Sequence, residues 1–163
     1  MQMNPNGNNK GVSIIEILVV IFIINTTLVS LLSLAVFSLK TSTFIKETNQ
    51  TAFLAQEVME AVRNFRDGTV WDTDGLGNLT SGAAYHPEKS SDVPPKWQLI
   101  LGEETVNGFT RKIEFEEVYR DGNDNIVDSG GTNDPDTNTK KATVTISWKD
   151  KEVKIATYFT NWR

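Results

Sequence analysis

The stretch GVSIIEILVVIFIINTTLVSLLSLAVFSLK, residues 11–40, decides the fold. From Ile17 to Leu39 it runs 23 residues without a charge. As a helix these span roughly 35 Å at ~1.5 Å per residue, against a hydrocarbon core of about 30 Å. One membrane-spanning helix therefore fits. Lys10 stands on one side of the run, with Lys40 and Lys46 on the other; Lys10 and the free amino terminus together orient the N-terminus toward the cytoplasm. One acid, Glu16, lies inside the apolar sequence. A carboxylate in hydrocarbon costs several kcal/mol or takes up a proton, so it marks a functional position by default.

Working outward, the helical pattern continues past the apolar run. Phe44, Thr48, Ala52, Ala55, Met59 and Val62 recur at three- and four-residue steps, and Leu54, Val58, Ala61 and Phe65 form a neighbouring stripe. Lys46, Glu47, Gln50, Glu57, Glu60 and Arg63 fill much of the remaining surface, which makes the segment amphipathic. No Gly or Pro occurs between Gly11 and Gly68, so nothing separates this segment from the span. Asp67-Gly68 predicts the stop, with Arg63 and Arg66 suited to the negative end of the helix dipole. One helix from about Val12 to Arg66 would be roughly 80 Å long.

From Gly68 onward the composition changes to nine Gly, four Pro and all four Trp. Residues 68–96 read as irregular, with a short element near Thr69–Trp71. The hydrophobic period then becomes two. Strands are predicted at Trp97–Leu101, at Phe109–Tyr119 with Phe109, Ile113 and Phe115 on one face, and at Ala142–Trp148 with Val144, Ile146 and Trp148 inward. Another covers Val153–Phe159, with Val153, Ile155 and Phe159 inward. Asp150-Lys151 would close the last two into an antiparallel hairpin. Three or four strands with one apolar face need a cover, and the amphipathic helix supplies it. The fold class is α+β: one long N-terminal helix, its first half membrane-spanning, its second half on a small antiparallel sheet. Residues 121–139 form a polar loop with five Asp.

Composition narrows the chemistry. The formal net charge of -5 sits entirely beyond residue 67, a balance that repels nucleic acid. Zero Cys and one His exclude disulfides and Cys- or His-clustered metal sites. No Ser/His/Asp arrangement or glycine-rich phosphate loop appears, so the chain does not read as an enzyme. His86 reads as a surface loop residue, Trp71 and Trp97 as packing residues, and Glu103-Glu104 and Glu116-Glu117 as solvated faces.

The residues Lys10-Gly11-Val12-Ser13-Ile14-Ile15-Glu16-Ile17 carry a sharper signal. A short polar leader ends in Gly, an apolar helix follows, and one carboxylate sits five residues after the Gly. This resembles the prepilin signature of type IV pilins and type II secretion pseudopilins, commonly Gly-Phe-Thr-Leu-Ile-Glu. Gly11 matches the residue before cleavage, Val12 the new and N-methylated terminus, and Glu16 the fifth mature residue. The family usually has Phe where this chain has Val12, and a helix-bending Pro where it has Ser33; no kink is predicted. Phe53-Leu54-Ala55-Gln56-Glu57-Val58-Met59-Glu60-Ala61-Val62-Arg63 looks like the helix end of minor pilins of the pilus-modification type. Val144-Thr145-Ile146-Ser147-Trp148 and Tyr158-Phe159-Thr160-Asn161-Trp162 look like that group's closing hairpin.

The resemblance implies a pilin-like lollipop in four parts. These are a leader at 1–11, a transmembrane and assembly half-helix at 12–40, an amphipathic half-helix at 41–67, and a head domain at 68–163. It implies that Glu16 pairs with the free α-amine of a neighbouring subunit, created at Val12 by trimming. The implied partners are other pilin subunits in a helical filament, a prepilin peptidase/methyltransferase, an inner-membrane assembly platform, and membrane lipid before assembly. The implied location is the inner membrane as a single-pass precursor, then a cell-surface or periplasmic filament. The alternatives are a pseudopilin of a secretion or DNA-uptake system, and a membrane-anchored surface binding domain. An ordinary signal anchor, or a secretory signal cut at Ser33-x-Ala35, would show the same apolar run without requiring its acid.

One weaker signal concerns calcium. Asp121, Asn123, Asn125 and Asp128 place oxygen ligands at alternating positions, as calcium loops do. The match then fails, because position six is Ile126 instead of Gly and position twelve is Thr132 instead of Glu. A solvated turn is the simpler reading.

Overall fold

The computed structural model describes residues 11–127 and 134–162. The fold is α+β. One helix, α1 (Ile14–Gly68), precedes an antiparallel sheet of seven strands. These are β1 (Ala84–Lys89), β2 (Trp97–Leu101), β3 (Glu104–Val106), β4 (Phe109–Arg120), β5 (Ile126–Val127), β6 (Asp134–Trp148) and β7 (Lys151–Thr160). The strand order is β2-β1-β4-β6-β7, with β3 and β5 also paired to β4. The chain divides into two compact units, one ending at Glu47 and the other beginning at Thr48, and α1 contributes residues to both.

In the first unit, every large apolar side chain from Val12 to Leu39 is exposed, by 48–79% of its surface. This segment is long and apolar enough to cross a membrane; its most apolar 18-residue window has a mean hydropathy of 2.5 and is 0% buried. The hydroxyls of Thr26, Thr27, Ser30 and Ser33 each donate to a carbonyl of the preceding turn, so they sit in the helix without free donors.

In the second unit, α1 turns Thr51, Leu54, Ala55, Val58, Ala61 and Val62 inward. They recur at three- and four-residue steps, as a helix lying on a sheet requires. Ala52, placed by the sequence pattern on an apolar stripe, is exposed, as is Phe44 in the first unit. The core joins Leu54, Val58 and Val62 to Ile113 and Phe115 of β4, Val144, Ile146 and Trp148 of β6, and Phe159 of β7. The helix ends at Gly68, where the Thr69 hydroxyl donates to the Phe65 carbonyl at 2.7 Å and satisfies an otherwise orphan acceptor.

The sheet is larger than the three or four strands expected. β1 occupies ground read as irregular, despite Pro87. It pairs with β4 at Ala84 and Tyr85, so among the described residues those beyond have β2 alone as a paired strand, and Pro is tolerated at such an edge. No regular element forms at Thr69–Trp71; a short 3-10 turn lies at Leu76–Asn78 instead. Its glycine has a packing reason: a Cβ on Gly77 would lie 2.5 Å from the indole of Trp71. β6 starts at Asp134, inside the stretch read as a loop, and its register against β4 shifts between Glu117 and Val118. The β6–β7 connection is Lys149-Asp150, one residue earlier than expected, with Lys149 at φ 51° and Lys151 already paired to Trp148. On β7, Phe159 is buried and Val153 half-buried, but Ile155 is exposed. Among the described residues β7 pairs only with β6, so there one edge and part of its face stay open.

Candidate functional site

Gly11, Val12 and Ser13 precede α1 without regular structure. The backbone N–H groups of Glu16 and Ile17 donate to the Ser13 carbonyl at 3.0 and 3.3 Å, and this starts the helix. Glu16 therefore lies in the first turn, where the unpaired N–H groups make the helix end partly positive and favour an anion. The Glu16 side chain is exposed and has no hydrogen bond or ion pair among the described residues. Among the described residues nothing crowds Gly11: a Cβ there would meet no atom within 4 Å. Local packing thus gives no reason for glycine at this position. The arrangement presents one carboxylate, on an apolar rod, to whatever covers that rod.

The calcium candidate takes a different shape. Asp121 opens the turn between β4 and β5, and its Oδ1 accepts the backbone N–H groups of Asn123 and Asn125, both at 2.9 Å. The Asn125 amide also donates to both Asp121 oxygens, at 3.2 and 3.0 Å. Hydrogen bonds from the Asn125 side chain, then from the N–H groups of Asn125 and Asn123, hold the Asp121 carboxyl below the usual carboxylate range. The oxygens are thus turned onto the loop's own donors, as in an Asx-turn. The Arg120 guanidinium also reaches this turn, donating to the Asp124 carbonyl at 2.8 Å. Asp128, the fourth residue of the candidate, lies outside the described residues. Among the described residues, no three acidic, His or Cys side chains converge as a metal group.

The structure also brings together charges that the sequence reading did not connect. Arg111 is buried on β4 between Phe109 and Ile113. Its Nε and Nη2 approach Glu104 Oε2 at 2.8 and 2.7 Å, and its Nη1 lies 3.3 Å from Glu57 Oε2 on α1. Glu104, read as part of a solvated face, is therefore half of an ion pair that ties β3 to β4. The alternation itself carried the signal, since an Arg at position 111 of a strand with 109, 113 and 115 inward must also point inward. Glu116 and Glu117 do lie on the exposed side, with Glu116 accepting from Lys141 at 2.8 Å.

A second charged pair fixes the start of β6. Arg120 Nε donates to Asp136 Oδ2 at 2.6 Å. That hydrogen bond holds the guanidinium above its usual range. Burial pushes the Asp136 carboxyl up, but hydrogen bonds from Arg120, Thr139 and the Asn138 N–H outweigh it and leave it lowered. Nearby, the Trp71 indole N–H donates to the Thr137 carbonyl at 2.9 Å. Trp71 is a packing residue, as expected. Trp97 is half-buried with Lys89 5.0 Å from its ring. His86, expected in a loop, lies in β1 with Nδ1 3.3 Å from the Gly102 carbonyl oxygen.

Comparison with protein-family models, curated proteins and solved structures finds no match to this chain.

Proposed function

We propose that the chain is a type IV pilin-like subunit. It is trimmed after Gly11, methylated at Val12 and assembled through α1. The observation that carries this reading is Glu16: one carboxylate, without a partner among the described residues, in the first turn of a helix whose first half is otherwise apolar and exposed, five residues after Gly11. Trimming creates an α-amine at Val12, which is the complementary charge. In an apolar fibre core the pair is weakly screened, so it rewards correct axial register and disfavours entry without a partner. Glu16 then determines assembly and performs no catalysis. Before assembly the same helix resides in the inner membrane as a single-pass anchor.

Mass spectrometry of the mature N-terminus tests the reading. The expected result is a chain beginning at methylated Val12. An intact Met1, or a cut near Ala35, overturns it in favour of an ordinary anchor or a secreted domain. A secretion pseudopilin would share the same terminus and differ in the machine it joins.

A further inference from the structure

Asn25 lies near the middle of the apolar segment, nine residues after Glu16. Nine residues are two and a half helical turns, so the two side chains stand on opposite sides of α1, about 180° apart. One Asn25 N–H donates to the Ile21 carbonyl at 2.8 Å. A side-chain amide has two N–H donors and an accepting oxygen. One N–H and Oδ1 are therefore left without a partner among the described residues.

The other polar side chains of residues 17–36 differ in kind. Thr26, Thr27, Ser30 and Ser33 have each committed their one O–H to their own helix, at 2.8–3.0 Å, and retain only accepting lone pairs. Among the described residues of this stretch, the free side-chain donor is Asn25. The free acceptors are the Asn25 oxygen and the four hydroxyl oxygens. Lipid tails offer nothing to either, and water is scarce at this depth. A second copy of the same helix offers both a donor and several acceptors.

We infer that Asn25 hydrogen-bonds to a second copy of this chain, at a helix–helix contact on the side of α1 opposite Glu16. Leu18, Ile21, Phe22 and Val29 flank Asn25 on that surface and supply the packing around it. Side-chain amides that bond across helices in an apolar medium fix register and partner choice as well as affinity. The inference rests on the assembly reading above and adds a second contact to it. Glu16 meets one neighbour at the end of the helix, and Asn25 meets another at its middle.

The test uses the purified full chain in phosphatidylcholine vesicles, with donor- and acceptor-labelled populations mixed at increasing protein-to-lipid ratios. Energy transfer is compared for the parent, Asn25→Leu and Asn25→Gln. Asn25→Leu is expected to weaken self-association about three- to thirtyfold, with Asn25→Gln staying near the parent. Leu inserts at least as well as Asn, so a loss cannot come from failed insertion, and carbonate extraction of each variant checks this. Self-association unaffected by Asn25→Leu overturns the inference, as does a parent that does not self-associate. The mature N-terminus in cells decides the processing reading separately. A trimmed chain indifferent to residue 25 would sink only the Asn25 contact.

Discussion

The buried guanidinium of Arg111 makes an unusual ranking of variants testable. Its side chain is 7% exposed, whereas those of Glu104 and Glu57 are 37% and 47% exposed. The desolvation cost therefore falls on the cation. Glu104 supplies its short contacts, while Nη1 faces Glu57 at 3.3 Å without a well-formed hydrogen bond. Removing a carboxylate should hurt more than removing the charge it neutralises. Glu104→Gln leaves a buried cation with one distant partner. Breaking a fully buried pair costs about 3–5 kcal/mol, and exposure of the carboxylate reduces this to roughly 1–3. Arg111→Met keeps the apolar stem against Phe109 and Ile113 and lets both carboxylates hydrate, so its cost should stay within about 1 kcal/mol. Urea unfolding of the full chain in detergent, followed by Trp fluorescence, reads the second unit, since all four Trp lie there. The double variant decides the matter. On the Arg111→Met background the Glu104→Gln penalty should vanish. A penalty that persists, or an Arg111→Met cost exceeding that of Glu104→Gln, would refute the assignment of the cost to an uncompensated cation.

Glu16→Ala should leave membrane insertion intact and abolish incorporation into filaments, measured by fractionating sheared fibres from membranes; normal incorporation would remove the pairing mechanism. Gly77→Ala should destabilise by about 1–3 kcal/mol, because its Cβ would sit 2.5 Å from the Trp71 ring, and Trp71→Leu should relieve part of that penalty. Asp136 has a lowered carboxyl, so its stabilising contribution is present above the unfolded value near 3.9 and fades as pH falls through its folded value. The unfolding midpoint of Asp136→Asn should therefore lie below the parent's at pH 7 and converge on it in acid; a constant gap across that range would contradict this. Millimolar calcium should leave the unfolding midpoint unchanged, since Asp121 already accepts the loop's own N–H groups; a rise abolished by Asp121→Asn would reinstate the site.

Much of the fold was legible because single residues carried long-range information. The absence of Gly and Pro between Gly11 and Gly68 fixed one continuous helix, and alternation at Phe109–Tyr119 and Ala142–Trp148 fixed two central strands. What escaped has local causes. β3 is three residues long, too short for period two to register, although Asn107-Gly108 announces the tight turn after it. Both turn residues have positive φ, 52° and 82°, as the favoured two-residue hairpin requires. β1 was hidden by Pro87, which counts against a central strand but not against one with a single paired neighbour. Alternation alone points Ile155 inward but does not tell whether that face of the strand is covered. β7 is an edge strand, and Ile155 lies exposed between half-buried Val153 and buried Phe159.

The candidate site is legible in a different sense. Glu16 stands out in the sequence because it breaks a pattern, and among the described residues nothing compensates that exception. Arg111 breaks a pattern too, an inward charge on an apolar strand face, yet the fold absorbs it with Glu104 and Glu57. The two cases separate residues that serve the monomer from residues that need something else. A charge whose partners lie in its own chain is accounted for by stability. A charge with no partner among the described residues, such as Glu16, or an amide whose second N–H and oxygen are unbonded there, such as Asn25, is what the proposed contacts with a second molecule would account for. On the proposed reading partners are chosen by the apolar half of α1, so substitutions confined to residues 16 and 25 should change association while leaving the unfolding midpoint of the second unit where it is.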